Sequence, residues 1–111
     1  MKRRIRRHPG VEQDICEQAV YIAGDNIPAS LRFLDAVEET LMRLLEHPAL
    51  GRLRDFDDPR LAAVRSMPVR RFRNHLIFYE VESSGIYVLA VLHGARDLPK
   101  VLDRRSRGQP L

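Results

Sequence analysis

The two longest β-prone apolar runs, separated by a short polar link, lie in the second half of the chain. Residues 76–81 (Leu-Ile-Phe-Tyr-Glu-Val) and 86–92 (Ile-Tyr-Val-Leu-Ala-Val-Leu) are two β-prone runs around the polar link Ser83-Ser84-Gly85. Ile, Val, Phe and Tyr suit a pleated surface, and so short a link joins only antiparallel neighbours. The pattern predicts a β-hairpin. Upstream the period changes. Val11, Ile15, Ala19 and Ile22 fall within about 80° of one another at helical spacing. Pro9 suits the first turn of that helix, and Gly24-Asp25-Asn26 stops it. Pro28 opens a second helix, in which Phe33, Leu34, Val37, Leu41, Leu44 and Leu45 form a stripe about 120° wide. Glu38 sits at the border of this stripe, where a carboxylate should seek an arginine. Glu39 and Arg43 make an i,i+4 pair on the outer face, and Pro48 and Gly51 end the helix.

The link between the helices is short, so they are antiparallel neighbours. Their apolar stripes call for a sheet face to cover. Residues 61–67 suit a third strand, which Pro68 limits or places at an edge. Residues 52–60 read as a loop. The first eight residues carry only Ile5 as an apolar position after the start, which allows a short edge strand guarded by arginines. Residues 98–102 fit a helical turn or an extended arm, and residues 104–111 form a polar tail, mobile unless docked. The expected fold is α+β, with an N-terminal strand and a helical hairpin packed on an antiparallel β-sheet that a three-stranded meander completes. One domain is expected over residues 1–103, with 104–111 as its tail.

Composition narrows the function. The chain of 111 residues is 44% hydrophobic and 31% charged, as in soluble globular proteins. No apolar run approaches the roughly 20 residues of a membrane span. The basic N-terminus is not followed by a signal-peptide core, so a cytoplasmic location with no membrane partner is expected. Cys16 is the single cysteine, and the four histidines form neither HxxxH nor HExxH; no metal and no cofactor are expected. Phosphate-binding glycine loops and G-x-S-x-G are absent, so nothing points to a small-molecule substrate. Asp57 and Asp58 are a loop carboxylate pair, better read as solvated side chains than as an acid–base couple. The net charge is +4, with basic residues gathered in 2–7, 60–73 and 96–107, which favours an anionic partner. His93, Arg96 and Asp97 follow an apolar strand, where functional groups are often displayed, although exposed ion pairing is by itself the better account of Arg96 and Asp97. Arg65, Arg70, Arg71 and Arg73 could join Arg96 in one basic patch, able to grip phosphate or an acidic protein.

Residues 21–37 (Tyr-Ile-Ala-Gly-Asp-Asn-Ile-Pro-Ala-Ser-Leu-Arg-Phe-Leu-Asp-Ala-Val), His-Pro-Ala-Leu-Gly at 47–51, the run 76–81 and Val-Leu-His-Gly-Ala-Arg-Asp-Leu at 91–98 together resemble the RelE/ParE superfamily. These are toxins of type II toxin–antitoxin, or plasmid stabilisation, systems, and the resemblance covers roughly residues 3–102. Ile27 reads as an insertion ahead of the proline. The resemblance implies a strand, two antiparallel helices and a three-stranded meander, with the first strand in the same sheet. Two functions live on this fold, so the fold does not choose between them. RelE-like members cleave mRNA on the ribosome with lysines and arginines around the scissile phosphate, and in some a C-terminal tyrosine. ParE-like members poison DNA gyrase.

Here Arg96 matches the arginine after the last strand. Leu76, however, stands where the RelE pattern has an arginine, and the tyrosine position falls near Leu102. Residues around Met67 and Val69 replace the lysines, although a shifted alignment could offer Arg65. The resemblance therefore implies a ParE-like toxin, with no catalytic residue assigned. Such a toxin traps gyrase on cleaved DNA and is neutralised by a ParD-like antitoxin, an acidic and partly disordered partner that folds on binding. A RelE-like mRNA endoribonuclease is the alternative. Candidates for target contact are Arg65, Arg70, Arg71, His93, Arg96 and Asp97. Candidates for antitoxin contact are Leu31, Phe33, Leu34, Leu41 and Leu45, in a groove between the helical hairpin and the sheet, although for any one of them a place in the core is the better reading.

Overall fold

The computed structural model describes residues 2–94 and 98–106. The elements in chain order are β1 (Arg4–Arg7), α1 (Gly10–Ala23), α2 (Ile27–Glu46), β2 (Arg52–Leu53), β3 (Arg65–Val69), β4 (Phe72–Glu82), β5 (Gly85–His93) and α3 (Leu98–Ser106). Short 3-10 turns lie at Pro48–Leu50 and Pro59–Leu61. The sheet order is β1-β5-β4-β3-β2. The expected hairpin is β4–β5, closed by Ser83 and Ser84, with Gly85 pairing as the first residue of β5.

Local chemistry sets the helix ends. Asn26 caps α2, its side chain accepting the Ala29 N–H at 3.0 Å, as an N-cap residue does for the first unpaired amides. At the other end Arg3 donates to the carbonyls of Leu45 and Glu46 at 3.0 and 3.1 Å, which satisfies acceptors that a helix C-terminus leaves open. Ser30 donates to the Ala19 carbonyl at 2.6 Å and ties the helices together. Glu38 finds its arginine in β1: Arg7 meets it at 2.8 Å.

Two apolar layers flank the sheet. Val11, Ile15, Ala19, Phe33, Val37, Leu41 and Leu44 of the helices close over Val69, Ile77, Tyr79, Ile86, Val88 and Val91. On the opposite face Phe78, Leu89 and Ala90 pack with Leu61, Val64 and Leu102. Period-2 alternation explains most of this, but the ladder slips between Phe78, opposite Ala90, and Tyr79, opposite Val88. Leu89 is the extra residue of a β-bulge, and so Leu89 and Ala90 both face the second layer.

Several expectations change in detail. β1 runs parallel to β5, a pairing that the long intervening helical hairpin and meander permit; the sheet is mixed. Residues 52–60, expected as loop, begin with the two-residue strand β2, which pairs with β3. Residues 61–63 are not strand: Leu61 closes a turn and drops into the second layer, and β3 starts at Arg65. The tail from Arg104 is helical as far as Ser106, and Arg105 is buried.

Arg105 and Asp14 seal an edge. β1 pairs with β5 only as far as Val88. Beyond it, Asp14 of α1 accepts the Val91 N–H at 3.0 Å, Gln18 donates to the Val91 carbonyl at 2.6 Å, and Arg105 donates to the Leu89 carbonyl at 3.1 Å. Asp14 and Arg105 also pair with each other, Nη1 to Oδ2 at 2.6 Å and Nη2 to Oδ1 at 2.9 Å. Side chains thus complete the backbone hydrogen bonding that a partner strand would otherwise supply.

Candidate target-binding surface

The C-terminal end of β3, the start of β4 and the end of β5 lie together at one end of the sheet. Val69 pairs with Phe72, so Arg70 and Arg71 alone make the β3–β4 turn. The Arg70 amide donates to Thr40 Oγ1 of α2 at 3.2 Å, which holds the turn against the helix. Arg71 has φ of 70°, the left-handed conformation that such turns usually give to Gly or Asn. Pro68 offers no N–H, and the β3–β4 pairing slips between Pro68 and Val69. Arg70, Arg71, Arg73 and Asn74 are all exposed here. His93 is exposed at the end of β5, opposite His75, and its ring lies 4.5 Å from the His75 ring. Arg96 and Asp97 lie outside the described residues.

Arg65 does not belong to this cluster. Five residue steps along the chain separate it from Arg70, about 16 Å at the usual strand rise. Its guanidinium donates to the carbonyls of Gly51 at 2.8 Å and Ala49 at 3.3 Å. Its cross-strand neighbour Tyr79 donates to the Pro48 carbonyl at 2.7 Å and accepts the Gly51 N–H at 2.8 Å. Together they hold the turn after α2. An arginine committed to two carbonyls is a fastening for that turn, and adjacency of strands was a poor guide because it ignores position along the strand.

His75 is a histidine that sequence patterns did not single out. It is 8% exposed, accepts ring contacts from Phe33 and Phe72, and shares a 2.7 Å hydrogen bond between Nδ1 and Gln18 Oε1. Burial, reinforced by the neighbouring His93, holds its pKa down at about 4, from an ordinary 6.5. Between these values the unfolded chain binds the proton and the folded chain resists it. Stability is therefore full above about pH 6.5 and declines as pH falls toward 4. Urea denaturation of the wild type and His75→Leu is expected to show the wild type losing about 2–3 kcal/mol more between pH 7 and 4.5. Parallel losses in the two proteins would mean that His75 is not the titrating group.

The five leucine and phenylalanine candidates divide. Phe33 and Leu41 are fully buried in the helix–sheet core and closed to a partner in this conformation. Leu45 is half-buried. Leu31 and Leu34 are exposed, with Val20, Tyr21 and Ile27 also exposed on the helical hairpin. Between the helices runs a shallow groove of about 340 Å³ whose lining includes Ile15, Cys16, Ala19, Val20, Ala23 and Leu34. The accessible apolar surface is therefore the outer side of the hairpin, rather than a groove between it and the sheet.

Among the described residues no group of three or more His, Cys, Asp or Glu side chains could hold a metal. No described helix is long and apolar enough to cross a membrane. The class these features define is a small α+β protein with a helical hairpin on a five-stranded mixed sheet, the architecture of the RelE/ParE toxins. The chain belongs to the ParE toxin family of type II toxin–antitoxin systems, parDE, whose model matches residues 5–98. A search of curated proteins finds no match to the chain.

Proposed function

We propose that this ParE-family toxin acts in the cytoplasm by binding DNA gyrase, holding it on cleaved DNA and blocking replication, until a cognate ParD-like antitoxin neutralises it. The observation that carries this reading is the fate of the positions a RelE-like nuclease would use. Leu76 packs against the second apolar layer, Leu102 is fully buried there, and Val69 is fully buried in the helix–sheet core. None bears a group able to transfer a proton or stabilise a phosphorane, and Arg65 is engaged with two backbone carbonyls. A toxin without chemistry works by binding, and the exposed basic sheet end around Arg70, Arg71 and His93 is the surface best suited to an anionic target. The exposed apolar residues Leu31 and Leu34 are the surviving antitoxin contacts among the five candidates, and a basic toxin meeting an acidic antitoxin associates fast and with salt dependence.

The test uses purified gyrase, relaxed plasmid and the toxin, with supercoiling and cleaved-DNA accumulation as readouts. Messenger RNA on translating ribosomes is followed in parallel. Lost supercoiling with accumulated cleaved DNA and intact mRNA is expected. Cut mRNA with normal gyrase activity would replace this reading with the endoribonuclease alternative.

A further inference from the structure

The β3–β4 turn carries a cluster of exposed cations. Arg70, Arg71 and Arg73 are exposed at the turn, and exposed Arg32 lines the same cleft from α2. Among the described residues none of these four side chains has a hydrogen-bond or ion-pair partner. Several arginines elsewhere are committed to carboxylates: Arg6 to Glu82, Arg7 to Glu38, Arg60 to Asp58 and Asp103, Arg105 to Asp14. Between α2 and the turn lies a cleft of about 380 Å³ that includes Arg32, Arg70 and Arg71 in its lining, with Asp35 and Glu39 beside them. Those carboxylates reduce the positive charge without cancelling it, three against two. A second concavity, of about 400 Å³, brings Arg73 together with the same Arg70 and Arg71. The cations thus wrap around a projecting turn instead of converging on one closed pocket. That layout fits charges spaced along a polymer better than a single small anion.

Arg71 adds a second argument. An arginine at φ of 70° costs roughly 1 kcal/mol that glycine would avoid. Among the described residues its side chain makes no hydrogen bond or ion pair that would offset this.

We propose that Arg32, Arg70, Arg71 and Arg73 bind the backbone phosphates of duplex DNA. The toxin then touches DNA directly while it holds gyrase, an extension that rests on the gyrase-directed reading. Guanidinium groups match phosphate oxygens in fork geometry, and contacts of this kind position a protein without reading sequence. Single-stranded nucleic acid is disfavoured because the cleft offers no free aromatic platform: Phe72 is half-buried, edge-on to Phe33 at 5.3 Å. An acidic peptide is disfavoured because the arginines are not set beside an exposed aromatic or aliphatic anchor in the cleft.

Gyrase is left out of the test. Binding of the toxin to a short fluorescent DNA duplex of arbitrary sequence is followed by anisotropy across a KCl series. The variants are Arg71→Gly, which also relieves the turn, Arg70→Gln/Arg71→Gly, and Arg60→Gln, which removes one charge away from the turn and is the equal-charge control for Arg71→Gly. The slope of log K against log salt is expected to fall by about one for each turn arginine removed. At low salt the double variant should bind about tenfold more weakly or worse, with thermal stability retained, while Arg60→Gln binds like the wild type. Equal weakening by Arg60→Gln would reduce the effect to net charge and overturn the site. Stronger binding to polyglutamate, or to single-stranded RNA, than to the duplex would overturn it too. Set beside the gyrase assay proposed above, trapped gyrase there without duplex binding here would discard this site and leave the gyrase reading standing; duplex binding without gyrase inhibition would do the reverse.

Discussion

Asp14→Ala is expected to destabilise the protein by about 3–5 kcal/mol, the usual consequence of leaving one member of a buried ion pair without the other. The argument is local. Asp14 and Arg105 are 8% and 6% exposed, and water cannot replace the lost carboxylate at either Arg105 or the Val91 amide. The variant therefore strands a buried cation and a buried N–H together. Arg105→Ala should cost a similar amount, since it strands the carboxylate and the Leu89 carbonyl. Against a typical total of 5–15 kcal/mol, either change is severe. The diagnostic result is non-additivity: Asp14→Leu/Arg105→Met should lose clearly less than the sum of the single losses, because no uncompensated charge remains. Urea titrations of all three variants measure this. Single losses under about 1 kcal/mol would show that the pair is not effectively desolvated. The same geometry explains Gly10, where an added Cβ would sit 2.7 Å from the Arg105 guanidinium.

Gly85→Ala is the second large effect, and its cause is the backbone. Gly85 has φ of 147°, a region that costs a residue with a Cβ about 1–3 kcal/mol. An added Cβ would also overlap the Arg4 carbonyl, at the point where β1 enters the sheet opposite Gly85. The methyl group and β1 cannot both keep their places. The expected outcome is loss of β1 pairing, read as fast hydrogen exchange at the amides of Arg4 to His8, with a lower thermal midpoint. The Arg6–Glu82 and Arg7–Glu38 pairs should be lost with it. Unchanged protection in β1 would mean that the hairpin turn can relax far enough to admit the side chain.

The two predictions share a lesson about legibility. Gly85 was visible as a turn residue, because polar link and strand composition announce a hairpin. That it must be glycine for β1 to pass beside it depends on a strand far away in sequence. Asp14 and Arg105 are separated by most of the chain. On α1 Asp14 reads as an ordinary polar residue, and in a polar tail Arg105 reads as solvated charge. No periodicity links them, and only the end of β1 at Arg7, with the open edge of β5 beyond it, creates the need that they satisfy.

At the candidate site the basic turn was legible, since Arg70, Arg71 and Arg73 crowd a short stretch between strands. Arg32 was not, because α2 carries several charged outward positions and sequence does not say which one faces the turn. Arg65 was grouped with them on strand adjacency, yet its neighbours are the carbonyls after α2. Phe33 and Leu41, weighed as partner contacts, went to the core for the reason their stripe suggests: the sheet needs a cover.

Local chemistry in the sequence was enough to determine the two helices, roughly where they end, and the β4–β5 hairpin, because period, turn residues and proline placement act over a few residues. The distinctive motifs were enough for the toxin family. Tertiary structure alone decided the parallel seat of β1, the bulge at Leu89, the docking of α3 and which arginines stay unpaired. Those outcomes depend on which distant backbone groups and charges are left unsatisfied once the elements meet, and that is a property of the assembled fold.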